Sequence, residues 1–252
     1  MPMAADHYES QSLLDEYLLF HYGESIDQLP WAFGPQSAVS FPRRCVTETL
    51  DLEQLPANAR ALEVGCAVGR ACFELSAFCS EVIGVDASKR FIAAAEQLVI
   101  TGTQPYQIKE TGHIVRQAEA RVPAHARPER VRFLVGDALA LPQNLGTFDV
   151  MLACNLLCRL PDPNRFLQSI PALVRPGGQL VVSTPHSWLE RFTVPEYWLG
   201  ATPETGEPFE AIRAVLEPAF QLQRRCDLPF LIREHRRKYQ WSVAEVTVWI
   251  RS

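Results

Sequence analysis

The chain has 252 residues, 47% of them hydrophobic and 21% charged, enough to bury roughly 75% of its unfolded surface and too apolar for wholesale disorder, collagen or coiled coil. With 24 Lys plus Arg against 29 Asp plus Glu the net charge is -5. No broad cationic surface is therefore available to draw a polyanion, and nucleic acid is not expected as a partner. Seven cysteines, with no paired spacing and no C-x-x-C, indicate neither a disulfide framework nor a metal site and suggest a reducing, cytoplasmic location. The first ten residues carry Asp6 and Glu9 where a leader would be basic and apolar, and no run reaches the roughly 18 apolar residues of a membrane span, so neither secretion nor a membrane is expected.

Taken in chain order, Leu13, Leu14, Tyr17, Leu18 and Phe20 recur at helical spacing, predicting an amphipathic helix over residues 9–22 that stops near Gly23. A loop from Leu29 to Pro35 follows. A second helix is expected from Ser37 to Leu55, interrupted at Pro42 and stopped by Pro56, so that residues 1–56 form a helical cap. From Arg60 the pattern becomes short apolar runs followed by helix-length segments. Strands are predicted at Ala61–Val64, Val82–Val85, Val131–Leu134, Val150–Cys154 and Gln179–Ser183, with helices between them. Residues 103–128 are an insert whose alternation about Thr111-Gly112 favours a β-hairpin, either a lid or a surface decoration. Phe220–Asp227 and Val243–Arg251 read as an antiparallel pair at one edge. The expected fold is α/β: a Rossmann-like, doubly wound, seven-stranded, mostly parallel sheet with an antiparallel C-terminal edge strand, in one domain over 1–252.

Chemistry concentrates at the strand ends. Glu63-Val64-Gly65-Cys66-Ala67-Val68-Gly69 closes the first strand with small residues that let backbone amides approach a ligand. Asp86 ends the second strand where open α/β folds hold ribose hydroxyls, Gly136-Asp137-Ala138 ends the third, and Cys154-Asn155-Leu156 ends the fourth. Any one glycine alone is a plain turn; the ordered set marks a nucleotide-type crevice. The loop lacks the G-x-G-x-x-G spacing that seats a pyrophosphate, whereas Glu63, Asp86 and Asp137 suit a cation. Cys154 and Cys158 lie at i, i+4, but two thiols make no metal site, and packing is the expectation. The basic run Arg233 to Lys238 is open to two readings, a solvated face or an anion site.

This series, with Arg175-Pro176-Gly177-Gly178, resembles the motifs of class I S-adenosylmethionine-dependent methyltransferases, except that Ala67 stands where the middle glycine is usual. The resemblance implies that Gly65, Cys66, Ala67 and Gly69 approach the methionine part of the donor and Glu63 orients its ammonium indirectly. Asp86 and Ala87 would then take the ribose, Gly136, Asp137 and Ala138 the adenine, and Asn155 and Leu156 would line the site. The flanks are more specific. Tyr8, Tyr17, His21-Tyr22-Gly23, Thr184 to Trp188, Trp198-Leu199-Gly200, Pro229 to Trp241 and Glu245 to Trp249 resemble the stand-alone methyltransferase of ovothiol biosynthesis. That family implies N-methylation of 5-thiohistidine to ovothiol A, with S-adenosylhomocysteine as the other product and a separate thiohistidine sulfoxide synthase as a possible partner.

For that small zwitterion, Arg233 or Arg236 could fork the carboxylate, Tyr17, Tyr239 and Trp241 could sandwich the ring, and Tyr22 and His235 could add contacts. His21, His186 and His235 are the candidates to take up the ring proton, His186 and His21 ranking ahead, and Tyr17 is the third catalytic candidate. Two other readings stand beside this one: the same fold acting on another small acceptor, and a non-catalytic partner of a thiohistidine synthase.

Overall fold

The computed structural model of the protein describes residues 8–252; residues 1–7 of the expected cap lie outside the described residues. Its helices are α1 (Gln11–Tyr22), α2 (Ser25–Gln28), α3 (Phe41–Thr47), α4 (Arg70–Leu75), α5 (Lys89–Thr101), α6 (Pro163–Ser169) and α7 (Pro208–Leu216). Its strands are β1 (Arg60–Val64), β2 (Glu81–Asp86), β3 (Thr103–Thr111), β4 (Ile114–Arg121), β5 (Val131–Val135), β6 (Phe148–Cys154), β7 (Val174–Thr184), β8 (Phe220–His235) and β9 (Lys238–Arg251).

Seven strands form one sheet in the order β5-β2-β1-β6-β7-β9-β8. The first five are parallel, because each crossover carries the chain back over a face. β9 then pairs antiparallel with β7 and β8. The order reverses between β1 and β6, which places a crevice at their carboxyl ends. The five parallel strands read as apolar runs because both faces are covered. Val82, Val150 and Val181 pack under Leu18, Phe41, Phe73 and Phe91, and Leu62, Ile83, Met151 and Leu180 pack against Phe166, Ile212 and Trp249.

The first helix begins where Ser10 accepts the Leu13 N–H and so caps the otherwise unpaired first turn. The second expected helix is shorter than predicted. Pro42 sits inside its first turn, where proline is tolerated, and the chain leaves helical geometry after Thr47. From there to Pro56 it is irregular, pinned by Gln179, whose side-chain amide exchanges two hydrogen bonds with the Asp51 backbone (2.9 and 2.8 Å). The helix expected between the third and fourth parallel strands is also missing. Pro142 and Gly146 bracket a single 3-10 turn, Gln143–Leu145.

The last two strands run much further than the sequence pattern indicated. β9 meets β7 only from Glu245 onward, yet it pairs with β8 back to Lys238. Seven residues therefore project roughly 20 Å beyond the carboxyl edge. The 103–128 insert forms the β3–β4 hairpin and is latched to this projection by the Arg233–Glu110 ion pair at 2.8 Å and to the α2 turn by Arg116–Asp27 at 2.5 Å.

Gly84 in β2 lies under the Phe133 ring: a Cβ there would sit 2.6 Å from Phe133 Cδ1 and 2.9 Å from Cys72 Sγ. Gly84→Ala is expected to destabilise the fold by about 1–3 kcal/mol through overpacking, read as a lower midpoint in urea unfolding with an unchanged slope.

Candidate active site

The chain leaves β1 through three left-handed residues in alternation, Gly65 (φ 79°), Ala67 (φ 47°) and Gly69 (φ 82°). This backbone turns the amides of Gly65 and Cys66 onto Val85 O (2.8 and 3.1 Å) and closes with Gly69 N on Cys66 O (2.9 Å). Glycine takes such angles freely. Ala67 takes one at a cost of about 1–2 kcal/mol, and an external bond holds it there: its N–H donates to Asp86 Oδ2 at 2.8 Å. The other Asp86 oxygen accepts the Ser88 N–H at 2.9 Å. Burial raises the Asp86 carboxyl above its usual range, and those N–H groups oppose the rise.

Asp86 O in turn accepts the Gly136 N–H at 2.9 Å, which brings the Asp137 loop alongside. Asp137 itself is exposed, with Oδ1 on the Leu139 N–H at 2.8 Å. Asn155 is left-handed (φ 54°) at the end of β6. Its N–H donates to Ser183 O at 2.8 Å and its side chain accepts from the Ser183 hydroxyl at 3.2 Å. Leu156 leans over Gly65, 3.0 Å from where a Cβ would stand. The glycine loop, Asp86, Gly136 to Ala138, Asn155 and Leu156 thus share one edge of the sheet. Beneath them Glu63 is buried with its carboxylate on the Cys72 thiol at 3.0 Å, and burial, reinforced by the charge of Asp86, pushes it up to about 8.

A profile of the methyltransferase domain matches residues 39–220. The chain belongs to the methyltransferase family. Norajmaline N-methyltransferase of Rauvolfia serpentina is 28% identical over 121 residues, covering 48% of this chain and 34% of that protein. A ubiquinone biosynthesis O-methyltransferase of Xanthomonas axonopodis pv. citri is 24% identical over 153 residues, covering 61% and 54%. The chain thus spans about a third to a half of the length of these curated relatives. In fold it is similar to the magnesium protoporphyrin IX methyltransferase of Synechocystis PCC 6803 with bound S-adenosylmethionine: TM-score 0.60 at 15% identity, over 99% of this chain and 96% of that one. This is the fold of S-adenosylmethionine-dependent methyltransferases.

In this methyltransferase α1 lies over the glycine loop. Tyr22 donates its hydroxyl proton to Val68 O at 2.7 Å and is buried, so it braces the loop and is not open to a substrate. His21 is buried as well, its Nδ1 accepting the Arg70 N–H at 3.4 Å. Burial, with the Arg70 charge second, lowers it to about 3, so it stays neutral at physiological pH and is no proton acceptor. Tyr17 packs on Phe91 (4.8 Å between ring centroids) and near Tyr8 (6.2 Å). Burial raises its phenol, and Arg159 and Asp86 both act on it.

Of the acceptor residues expected in the C-terminal run, the two arginines and His235 make structural contacts, while Tyr239 and Trp241 line a cavity of their own. Arg233 is buried, paired with Glu110 and bonded to Asp27 O at 2.6 Å. Arg236 lies over Trp31 at 5.5 Å, and its carbonyl accepts from Trp31 Nε1 and from the Tyr239 hydroxyl. His235 Nδ1 accepts the Arg237 N–H inside the hairpin turn, and Trp241 is exposed. With Leu29, Phe33 and Pro35, Tyr239 and Trp241 line a separate cavity of about 370 Å³.

His186, by contrast, stands just past β7 at the carboxyl edge, left-handed at φ 51°. Its Nε2 meets Glu245 Oε2 at 3.0 Å, while its Nδ1 is buried without a hydrogen-bond partner. Glu245 is held from behind by Arg225 at 2.5 Å. The Glu245 and Arg225 contributions were missed because they sit in the antiparallel β8–β9 pair, which read as packing. Among the described residues no cluster of ligands could hold a metal ion, and no helix is long and apolar enough to cross a membrane.

Two outcomes test this site. Ala67→Gly removes the left-handed strain and should stabilise the protein by about 0.5–1 kcal/mol after the entropy of glycine is set against it, visible as a rise in thermal midpoint. For Glu63, a folded value near 8 against 4.5 unfolded means its contribution to stability is full below pH 4.5 and is lost as pH rises through about 8. Glu63→Gln should flatten that decline in unfolding free energy measured across the window.

Proposed function

We propose that this methyltransferase moves the methyl group of S-adenosylmethionine to an imidazole nitrogen of 5-thiohistidine, giving ovothiol A and S-adenosylhomocysteine. The observation that carries the donor half is Asp86: a strand-end carboxylate fixed by two backbone N–H groups beside a loop of left-handed residues. The donor, when bound, supplies an electrophilic methyl on a positive sulfur. The Gly65 to Gly69 backbone receives its methionine part with Cys66 and Ala67. Asp86 and Ala87 take the ribose, Gly136 to Ala138 the adenine, and Asn155 and Leu156 close the far wall. Glu63 acts from below on the ammonium, which favours its ionised form.

The acceptor half is supported by the resemblance of the flanks, which extends from Tyr8 and Tyr17 to Trp249. Transfer is an in-line displacement: a ring nitrogen bonds the methyl carbon as the carbon–sulfur bond breaks, and the electron pair stays on sulfur. Alignment of the two centres is the main source of rate, about 7–11 kcal/mol. The methylated ring must then lose its other N–H proton. We assign that task to His186: with Nε2–H donated to Glu245, its Nδ1 lone pair, buried and unpartnered in the structure, would accept the proton once the side chain opens toward the acceptor. Production of 5-thiohistidine requires a separate sulfur-transferring enzyme, a thiohistidine synthase.

Purified protein with labelled donor is expected to methylate 5-thiohistidine, and not histidine or small thiols, with the new methyl on ring nitrogen by NMR. Transfer to some other acceptor alone would overturn the acceptor, and absence of saturable donor binding in calorimetry would overturn the enzyme. His186→Ala should lower kcat about 10²-fold. Glu245→Gln should lower it in the wild type but add nothing to His186→Ala, since an orienting residue acts only through its partner.

A further inference from the structure

We propose that Arg159 is the anchor for a carboxylate on the methyl acceptor; Arg233 is engaged by Glu110 and the Asp27 carbonyl, and Arg236 is exposed in the β8–β9 turn over Trp31. The proposal rests on the acceptor reading above. Arg159 ends the 3-10 turn Leu157–Arg159 directly after Asn155 and Leu156 at the tip of β6. Its Nη1 donates to Cys158 O at 3.0 Å and to Ser187 O at 3.1 Å, with Cys158 Sγ at 3.2 Å. Its guanidinium lies 5.0 Å from the centroid of Phe192 and reaches the Tyr8 hydroxyl.

Backbone and aromatic contacts therefore fix the direction of the side chain. Among the described residues, however, no Asp or Glu lies in ion-pair reach of it, whereas Arg60, Arg70, Arg116, Arg225 and Arg233 each have such a partner. A half-buried guanidinium without a counter-ion is incomplete, because the desolvation of its charge is offset only when an anion takes the remaining donors.

Its surroundings belong to the reaction. Tyr8 and Tyr17 both feel Arg159 and both feel Asp86, so the cation flanks the same tyrosine pair as the ribose carboxylate. Ser187, whose carbonyl it grips, adjoins His186. A small acceptor carrying a carboxylate and a ring can thus place the first on Arg159 and offer the ring proton to His186. Arg191 lies on the same Phe192 ring at 4.8 Å and adds positive potential around the anchor.

The test compares 5-thiohistidine with its decarboxylated analogue, the corresponding thiol of histamine, using wild type, Arg159→Met and Arg159→Lys. Arg159→Met should reduce kcat/KM for 5-thiohistidine about 10- to 100-fold, mostly through KM. It should leave the decarboxylated analogue within twofold and leave the affinity for S-adenosylhomocysteine, by calorimetry, unchanged. Arg159→Lys should recover part of the loss. Equal losses on both acceptors, or a loss of S-adenosylhomocysteine binding, would overturn the anchor. Should the wild type turn over neither thiol, the acceptor reading fails. Calorimetry of histidine against histamine on the S-adenosylhomocysteine complex then decides the anchor alone: tighter binding of histidine that Arg159→Met abolishes sustains it, and equal binding of the two overturns it.

Discussion

The structure depends on one carboxylate. Asp86 ends β2 and accepts the N–H groups of Ala67 and Ser88 with its two oxygens, while its own carbonyl takes the Gly136 N–H. Through these three bonds the ends of β1, β2 and β5 are tied into one surface. The left-handed turn at Ala67 persists against its steric cost because that bond repays it, at a site where burial makes an unpaired N–H expensive. The ribose role proposed for Asp86 needs a carboxylate that is held still, and these N–H groups hold it.

Above this edge the cap is built as a clasp. α1 presses Tyr22 onto the Val68 carbonyl and His21 onto the first amide of α4, so the loop is fixed from both sides. The projecting β8–β9 arm is braced by Arg233, whose charge is satisfied by Glu110 of the inserted hairpin and by the Asp27 carbonyl. A buried pair of this kind adds little net stability, but losing one partner is costly. It defines where the hairpin lies and, with the Asp27 carbonyl, it engages both terminal nitrogens of Arg233.

The parallel sheet and donor edge were legible because they repeat a local rule: an apolar run, then a small or acidic residue where the strand stops. Glu63, Gly65, Asp86, Gly136 and Asn155 could be placed from that alone. The cap was not legible in the same way. Its strands alternate only weakly, and within the basic run Arg233 is paired with Glu110, more than a hundred positions away, and Lys238 with Glu234, four away, while Arg236 and Arg237 lie over Trp31. Pro42 and Pro142 signal breaks, yet nothing local says that a helix ends at Thr47 or is replaced by a 3-10 turn. Arg159 left no sequence signal either, since the role proposed for it rests on its having no acidic partner among the described residues, which only the folded chain reveals.

Selectivity is the harder demand on the acceptor side. On the acceptor proposed above, the thiolate is a better nucleophile than the imidazole nitrogen, so orientation, and not intrinsic reactivity, would have to choose the product. One contact cannot do this, because a ligand held at one point still turns. The proposed roles of Arg159 and His186 supply two points of opposite preference, an anion site and a proton acceptor, linked through the bond from Arg159 to the Ser187 carbonyl. With the carboxylate on one and the ring N–H on the other, rotation about the ring plane is arrested. In the proposed pose the nitrogen that faces the donor would be the one whose proton is already elsewhere, with the sulfur turned away from the methyl carbon.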